Sequence, residues 1–578
     1  MRKLTIPLIL QSLVFLIPLN YYAMGSGAGN GVQWALFRYQ QDIFGNYLSS
    51  VLYRSLDVIA RDFPGQNASA AIMWDVGASL LVACFVLQIL SILKDKPGYA
   101  KFVAIITILS GLLFLLSDIF QYGLWLNGPN GLCIPFGIPV IIVMGVIAYR
   151  CGDPDEVSKP ELPRSNRSGL LNELVLIIFI SVFVKIIVFS ISMFATIVSV
   201  NQDITLYYNY MNLAISGNIP YIDYMIEYPQ FFLIPVFIAA IPSLILHSPL
   251  VYLSSFMILM LLIDTATLIG VYFIALRLFG QQKAFLCSVL YATAFSSAFL
   301  VATIYDSFPV FFLVVSVLLF LYGKEVPAYI SATVGTMAKW FPVFCFPYYI
   351  LFTIKNKRAT GSLKKGILLS CCIVFLTVVP FIVLNYQAFL KTYLFHVGRE
   401  AYFRSWIYYM DLISKYYFDS EPFVHLSLVF LVVVECALLY WYYRYLDGKQ
   451  STLCYLILLS IFCFILLNKV FAPYYILWVT PFLALFLINS VRQVFLFYLL
   501  QVLIYIEHPI LLQQGVREYS FTGTSLLTHP TVFDPFVFYS VKFMIFFVIL
   551  YVIIRDVRRT QSVNYREKSE EQSTVGQT

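Results

Sequence analysis

Residues able to hold protons and phosphates gather in a few stretches of this chain. The first reads Asn201-Gln202-Asp203-Ile204-Thr205-Leu206-Tyr207-Tyr208, continues through Gly217-Asn218-Ile219-Pro220-Tyr221-Ile222-Asp223-Tyr224 and closes with Glu227-Tyr228-Pro229. It begins where a long apolar run ends. A carboxylate at such a boundary is poorly solvated, which raises its proton affinity and suits it to act as a general base. Asp203 is the candidate base, although an aspartate just ahead of an aromatic run serves equally well as a helix cap. Asp223 and Glu227 read as structural or acceptor-binding acids. Further along, His396, Arg399 and Arg404 form a short cationic cluster. Arginine binds phosphate through two parallel hydrogen bonds, so these are candidate phosphate ligands; contact with anionic lipid would use the same residues. Lys339 and Lys469 stand behind them; for Lys469, snorkelling at a helix end is the commoner role. No His, Asp and Glu cluster has metal-ligand spacing; a divalent metal would need Asp203, Asp223 and Glu227 to converge in space.

The elements that must position these residues are membrane helices. Of 578 residues, 60% are hydrophobic and 12% charged, which excludes a soluble monomer. The net charge of +7 does not point to nucleic acid, because the cations lie between apolar runs rather than in a patch. Neither GxxxxGK[ST] nor GxGxxG occurs, so a nucleotide-driven machine finds no support. The ten cysteines are scattered without a CxxC pair, and those in apolar segments, such as Cys84, Cys287, Cys371, Cys372 and Cys463, read as small core side chains.

A crossing helix needs about twenty apolar residues, and the apolar runs suggest roughly sixteen spans, the first near 5–24 and the last near 538–554. The fold class is an all-α polytopic membrane protein. With both termini cytoplasmic, most Lys and Arg fall on the cytoplasmic side, provided that 231–246, with Pro235 and Pro242, is a re-entrant or surface helix rather than a crossing. The outer loops are then 25–72, 200–249, 386–424 and 508–537. Residues 1–149 form a four-span module, 150–168 a cytoplasmic linker, 169–556 the main module and 557–578 a disordered cytoplasmic tail. Asp264, inside an apolar run, is expected to hold helices together.

The order D-x3-Y, G-x2-P-Y-x-D and E-Y-P, followed by a membrane-hugging helix, resembles the GT-C superfamily of integral membrane glycosyltransferases. It is most similar to the polyprenyl-phosphomannose-dependent mannosyltransferase branch. Further positions follow in order: Asp264, Arg277-Leu278-Phe279-Gly280, Asp306, Lys339 before Phe341-Pro342, then Asn468-Lys469-Val470, Pro473-Tyr474-Tyr475 and Trp478-Val479-Thr480-Pro481. The chain departs from the usual E-Y-P-P at Gln230. The likeness covers 169–556 and leaves the first four spans outside it. It implies a GT-C-like bundle with re-entrant or juxtamembrane helices in its outer loops. It also implies inverting transfer of a hexose, mannose first, from a polyprenyl-phosphate donor to a glycan or lipid acceptor. Asp203 matches the base; His396, Arg399, Arg404, Lys339 and Lys469 would hold the donor phosphate. The setting is the plasma membrane, or the endoplasmic reticulum of a eukaryote, with the site extracytoplasmic. A secondary transporter, or a non-catalytic subunit of a polysaccharide or lipid export assembly, is the alternative; concentration of polar residues in outer loops favours the enzyme.

Overall fold

A computed structural model describes residues 14–15, 17–25, 29–42, 45–93, 99–128, 130–151, 166–192, 201–246, 249–402, 404–511 and 535–575. The chain divides into two compact units, Met1–Ile197 and Val198–Thr578.

The first unit is not all helical. Strands β1 (Asn20–Met24), β2 (Asn30–Gln33), β3 (Phe37–Asp42), β4 (Gly45–Ser50), β5 (Asn127–Gly128) and β6 (Gly131–Ile134) form an antiparallel sheet in the order β4-β3-β2-β1-β6-β5. The expected first span near 5–24 is corrected at its end: Asn20-Tyr21-Tyr22-Ala23-Met24 is a strand, and most of the remainder lies outside the described residues. Its period-two alternation buries Asn20 and Tyr22, a pattern that an apolar-run reading overlooks. Helices α1 (Val51–Asp62), α2 (Gln66–Leu93), α3 (Tyr99–Tyr122), α4 (Ile138–Cys151) and α5 (Asn166–Ser192) complete the unit. Thus 166–192 groups with the N-terminal unit rather than with the main module, and most of the expected linker lies outside the described residues.

The second unit comprises α6 (Asn201–Ile215), α7 (Leu233–Leu246), α8 (Pro249–Phe279), α9 (Gln281–Ala292), α10 (Phe295–Thr303), α11 (Ser307–Leu321), α12 (Glu325–Ala338), α13 (Cys345–Lys355), α14 (Thr360–Gly398), α15 (Trp406–Phe418), α16 (Pro422–Tyr445), α17 (Gln450–Leu467), α18 (Ile476–Phe486), α19 (Val491–Tyr505) and α20 (Pro535–Val575). Helix α20 runs through the segment expected to be a disordered tail, whose Arg, Glu, Lys and Gln residues are good helix formers. Helix α7 has 14 residues and continues directly from the turn Gln230–Phe232, so that Gln230–Leu246 is one of the shorter apolar helical stretches. Helix α14 breaks at Asn385, whose side-chain oxygen accepts from the Ala388 amide at 3.1 Å and caps the second half.

Among the described residues, eight helices are long and apolar enough to cross a membrane, or nine if α9 and α10, bent by 61°, make one broken span. Of the sixteen segments read from the sequence, several are shorter: α11 has 15 residues and α12 has 14. Helices α17 and α18 are buried at the centre, whereas α14 and α16 expose apolar side chains such as Phe375, Leu376, Val383, Leu428 and Val433, the face a lipid-spanning helix presents. Cys371 and Cys372 are exposed on α14 and are not core residues; Cys84, Cys287 and Cys463 are. Asp264 joins α8 to α9 by accepting from the Tyr291 hydroxyl at 2.6 Å.

Candidate active site

Three proline-led turns deliver the central residues. Pro229 precedes the 3₁₀ turn Gln230–Phe232, Phe341-Pro342 opens Phe341–Phe344, and Pro473 opens Pro473–Tyr475; each runs into a helix, α7, α13 or α18. Proline fits the first turn of a helix because its missing N–H has no partner to lose there. Tyr228 and Lys339 lie just ahead of the first two turns, and Tyr474 and Tyr475 lie within the third.

Their centre is an ion pair. Lys339, in extended backbone after α12, donates from Nζ to Asp306 Oδ1 at 2.6 Å, and the Trp478 indole N–H donates to Asp306 Oδ2 at 2.7 Å. Asp306 stands at the start of α11 but does not cap it; its buried carboxylate is wholly given to these two donors. The ammonium also faces the rings of Tyr228, Tyr305, Tyr474, Tyr475 and Trp478, with centroids 4.9 to 5.7 Å away. Trp478 stacks on Phe341 at 4.4 Å and on Tyr475 at 3.9 Å, which holds the indole in place.

Asp203 lies in the first turn of α6, half-buried against this centre. Burial pushes its carboxyl above the usual aspartate value; Lys339 pulls it down, and Asp306 and Glu227 push it up. Tyr207, Tyr228, Tyr305 and Tyr474 are held well above the usual tyrosine value, by burial first and then by neighbouring tyrosines and carboxylates. They remain neutral donors at any physiological pH. Gly217, at φ +93°, ends α6 in a left-handed turn that suits glycine, and the chain then doubles back to bring Glu227 and Tyr228 beside Asp203.

The cationic cluster meets this loop. His396 Nε2 lies 2.7 Å from the Glu227 carbonyl oxygen. Lys469 donates to the Val397 carbonyl at 2.8 Å, and the Tyr402 amide returns a bond to the Lys469 carbonyl at 2.8 Å. Lys469 is pushed below the usual lysine value by burial and by Arg399, and no described carboxylate pairs with either cation. Tyr475 feels both Arg399 and Asp306, so the two charged regions share a wall.

Asp203, Glu227, Lys339, His396, Arg399 and Lys469 therefore converge, and two expected site residues do not join them. Asp223 is exposed and accepts from the Ile219 amide at 2.6 Å, closing a turn. Arg404 is buried with Glu507 as its neighbour, and its carbonyl accepts from Lys542 at 3.5 Å. No group of three His, Cys, Asp or Glu residues able to hold a metal occurs among the described residues, so Asp203, Asp223 and Glu227 do not converge as ligands. Asp306, Trp478, Tyr474 and Tyr475 enter the sequence reading only as positions of the resemblance, without a role at the site, and Tyr305 does not enter it. Their signal was present in part: Asp306 follows Tyr305 at the end of an apolar run, and Pro473-Tyr474-Tyr475 sits in the same stretch as Lys469. No protein-family model, curated protein or solved structure matches this chain.

Proposed function

We propose that this protein is an inverting membrane glycosyltransferase that moves a hexose, mannose as the first choice, from a polyprenyl phosphate to an acceptor hydroxyl on the extracytoplasmic side. The observation that carries the reading is the contact between His396 and the Glu227 carbonyl. Through it, a carboxylate with raised proton affinity and two cations lacking a described carboxylate partner border one aromatic-walled region. In the transfer, Asp203 takes the acceptor proton as the hydroxyl oxygen bonds to the sugar C1. The C1–O bond to phosphate breaks with its electron pair leaving on the phosphate. Arg399 and Lys469 are placed to neutralise that leaving group. The neutral tyrosines offer hydroxyl donors and flat faces to a sugar ring. The GT-C-like bundle, the mannosyltransferase branch and cytoplasmic termini belong to the same proposal.

Transfer from a synthetic polyprenyl-phosphate mannose by the purified protein tests it. Asp203→Asn keeps the shape and removes the base, so turnover should fall by about 10²- to 10⁴-fold. Unchanged turnover would remove Asp203 from the mechanism, and no transfer with any polyprenyl-phosphate hexose would remove the reading. One observation favours secondary transport instead: Lys542 and Glu507, an ion pair with no exposed side-chain surface, lie within apolar spans. Donor-independent solute uptake by proteoliposomes would support that alternative.

A further inference from the structure

We propose that the N-terminal unit carries a second ligand site, in which Arg38 and Arg54 bind a phosphate group borne by a small polar body. The site is a cavity of about 690 Å³, bounded by the sheet, α1 and parts of α2 and α3. Arg38 projects from β3 and is only 4% exposed. Its Nε donates to the Tyr22 hydroxyl at 2.6 Å, and its guanidinium lies 3.8 Å from the centre of the Tyr22 ring, so the fork is held rigidly. Arg54 comes from α1 and donates from Nη1 to Gln40 Oε1 at 2.8 Å. The second terminal nitrogens converge, Arg38 Nη2 at 3.9 Å and Arg54 Nη2 at 4.0 Å from the same Met24 sulfur.

A thioether is a weak acceptor, and two guanidinium groups turned on one sulfur leave most of their positive charge unanswered. No described carboxylate pairs with either arginine: Asp57 goes to Arg61 at 2.8 Å, and Asp118 takes the Asn20 amide at 2.7 Å. Burial, followed by Arg54, pushes Arg38 below the usual arginine value, a penalty that an anion between the two would reverse. Planar forks held side by side suit the oxygens of a phosphate. The rim adds Asp57 and Asp62, which disfavour a long polyanion, together with amides such as Gln33 and Asn67 that suit hydroxyl groups. A soluble phosphorylated polyol and a phospholipid headgroup both present this chemistry.

The test uses the full chain in nanodiscs and does not depend on glycosyl transfer. In one arm, sn-glycerol 3-phosphate is titrated calorimetrically into protein in phosphatidylcholine discs, with glycerol as control. In the other, retained phosphatidylglycerol is counted by native mass spectrometry against phosphatidylcholine. Binding in the first arm identifies a soluble ligand, and retention in the second alone identifies a headgroup. In either arm Arg54→Gln should weaken binding at least about tenfold, the effect of losing a charge-assisted hydrogen bond. Arg54→Lys, which keeps charge without the fork, should fall between. Arg54 is half-buried at the wall, so its variants spare the Tyr22 contact on which folding around Arg38 depends. Absence of binding in both arms, equal binding of glycerol, or wild-type affinity in Arg54→Gln overturns the proposal.

Discussion

Lys339 and Lys542 each lie among aromatic rings and each donates to a buried carboxylate, yet their surroundings have opposite sign. Around Lys339 stand Asp306, Asp203 and Glu227, three carboxylates for one ammonium. Around Glu507 stand Lys542, at 3.1 Å from both carboxylate oxygens, and Arg404, two cations for one carboxylate. Tyr474 lies in both fields, near Asp306 and Asp203 on one side and Arg404 on the other. Excess negative charge keeps a nearby carboxyl eager for a proton, and excess positive charge favours an approaching phosphate. On the proposed function the first knot serves the chemistry, whereas the second holds the Arg404 segment in place.

Breaking each knot is the severest test of that difference. Either Glu507→Gln or Lys339→Met strands buried charge and should cost about 3–5 kcal/mol, read as a large fall in the thermal midpoint of the purified protein. Replacing both partners separates the roles. Lys542→Met with Glu507→Leu should recover turnover with only part of the stability, because an apolar pair of similar volume replaces the brace while the buried Arg404 loses its carboxylate neighbour. Lys339→Met with Asp306→Leu should recover stability without turnover. Full activity in the second double variant would erase the distinction between the knots.

A smaller effect separates the cations. Arg399→Ala should lower kcat/KM for the donor about tenfold, raising the apparent donor KM and lowering kcat together, the loss expected for a charge-assisted contact to a phosphate that gains charge as it leaves. Arg404→Ala should instead lower the thermal midpoint, since the side chain is buried beside Glu507. A donor KM that moves only in the Arg404 variant would reverse the assignment.

How far these roles were legible depends on what each residue's signal was. Asp203 sits in the first turn of a helix, and Lys339 and Lys469 sit at element boundaries just ahead of the turns at Phe341-Pro342 and Pro473-Tyr474-Tyr475, positions that can be read locally. Asp223 has the same local look, but its partner is the Ile219 amide four residues away, so it serves the turn. Arg404 resembles Arg399 in the chain and differs only through Glu507 and Lys542, more than a hundred positions on. Pairing at that range follows from helix packing, which residue spacing does not encode. The same holds for the sheet: Tyr22 pairs with Cys133 across strands separated by two long helices. Apolar-run arithmetic also does not register helix length or burial: among the described residues, α11, α12 and α18 are apolar runs that fold as short helices buried in protein.

The finest test is the pH dependence of transfer. In the proposed transfer Asp203 takes a proton only when ionised, so activity should fall as pH drops through its titration. Because burial holds the carboxyl above the usual aspartate value, with Asp306 and Glu227 adding and Lys339 subtracting, the acid limb of kcat/KM should lie above the ordinary value of about 3.9. Glu227→Gln removes one repelling carboxylate and should move the limb down, by less than about one pH unit. Lys339→Met removes the attracting cation and should move the limb up in whatever activity remains. Opposite shifts would tie the titrating group to the crowded carboxylates around Lys339. An acid limb indifferent to both variants would assign the titration to another group and leave Asp203 without its role as base.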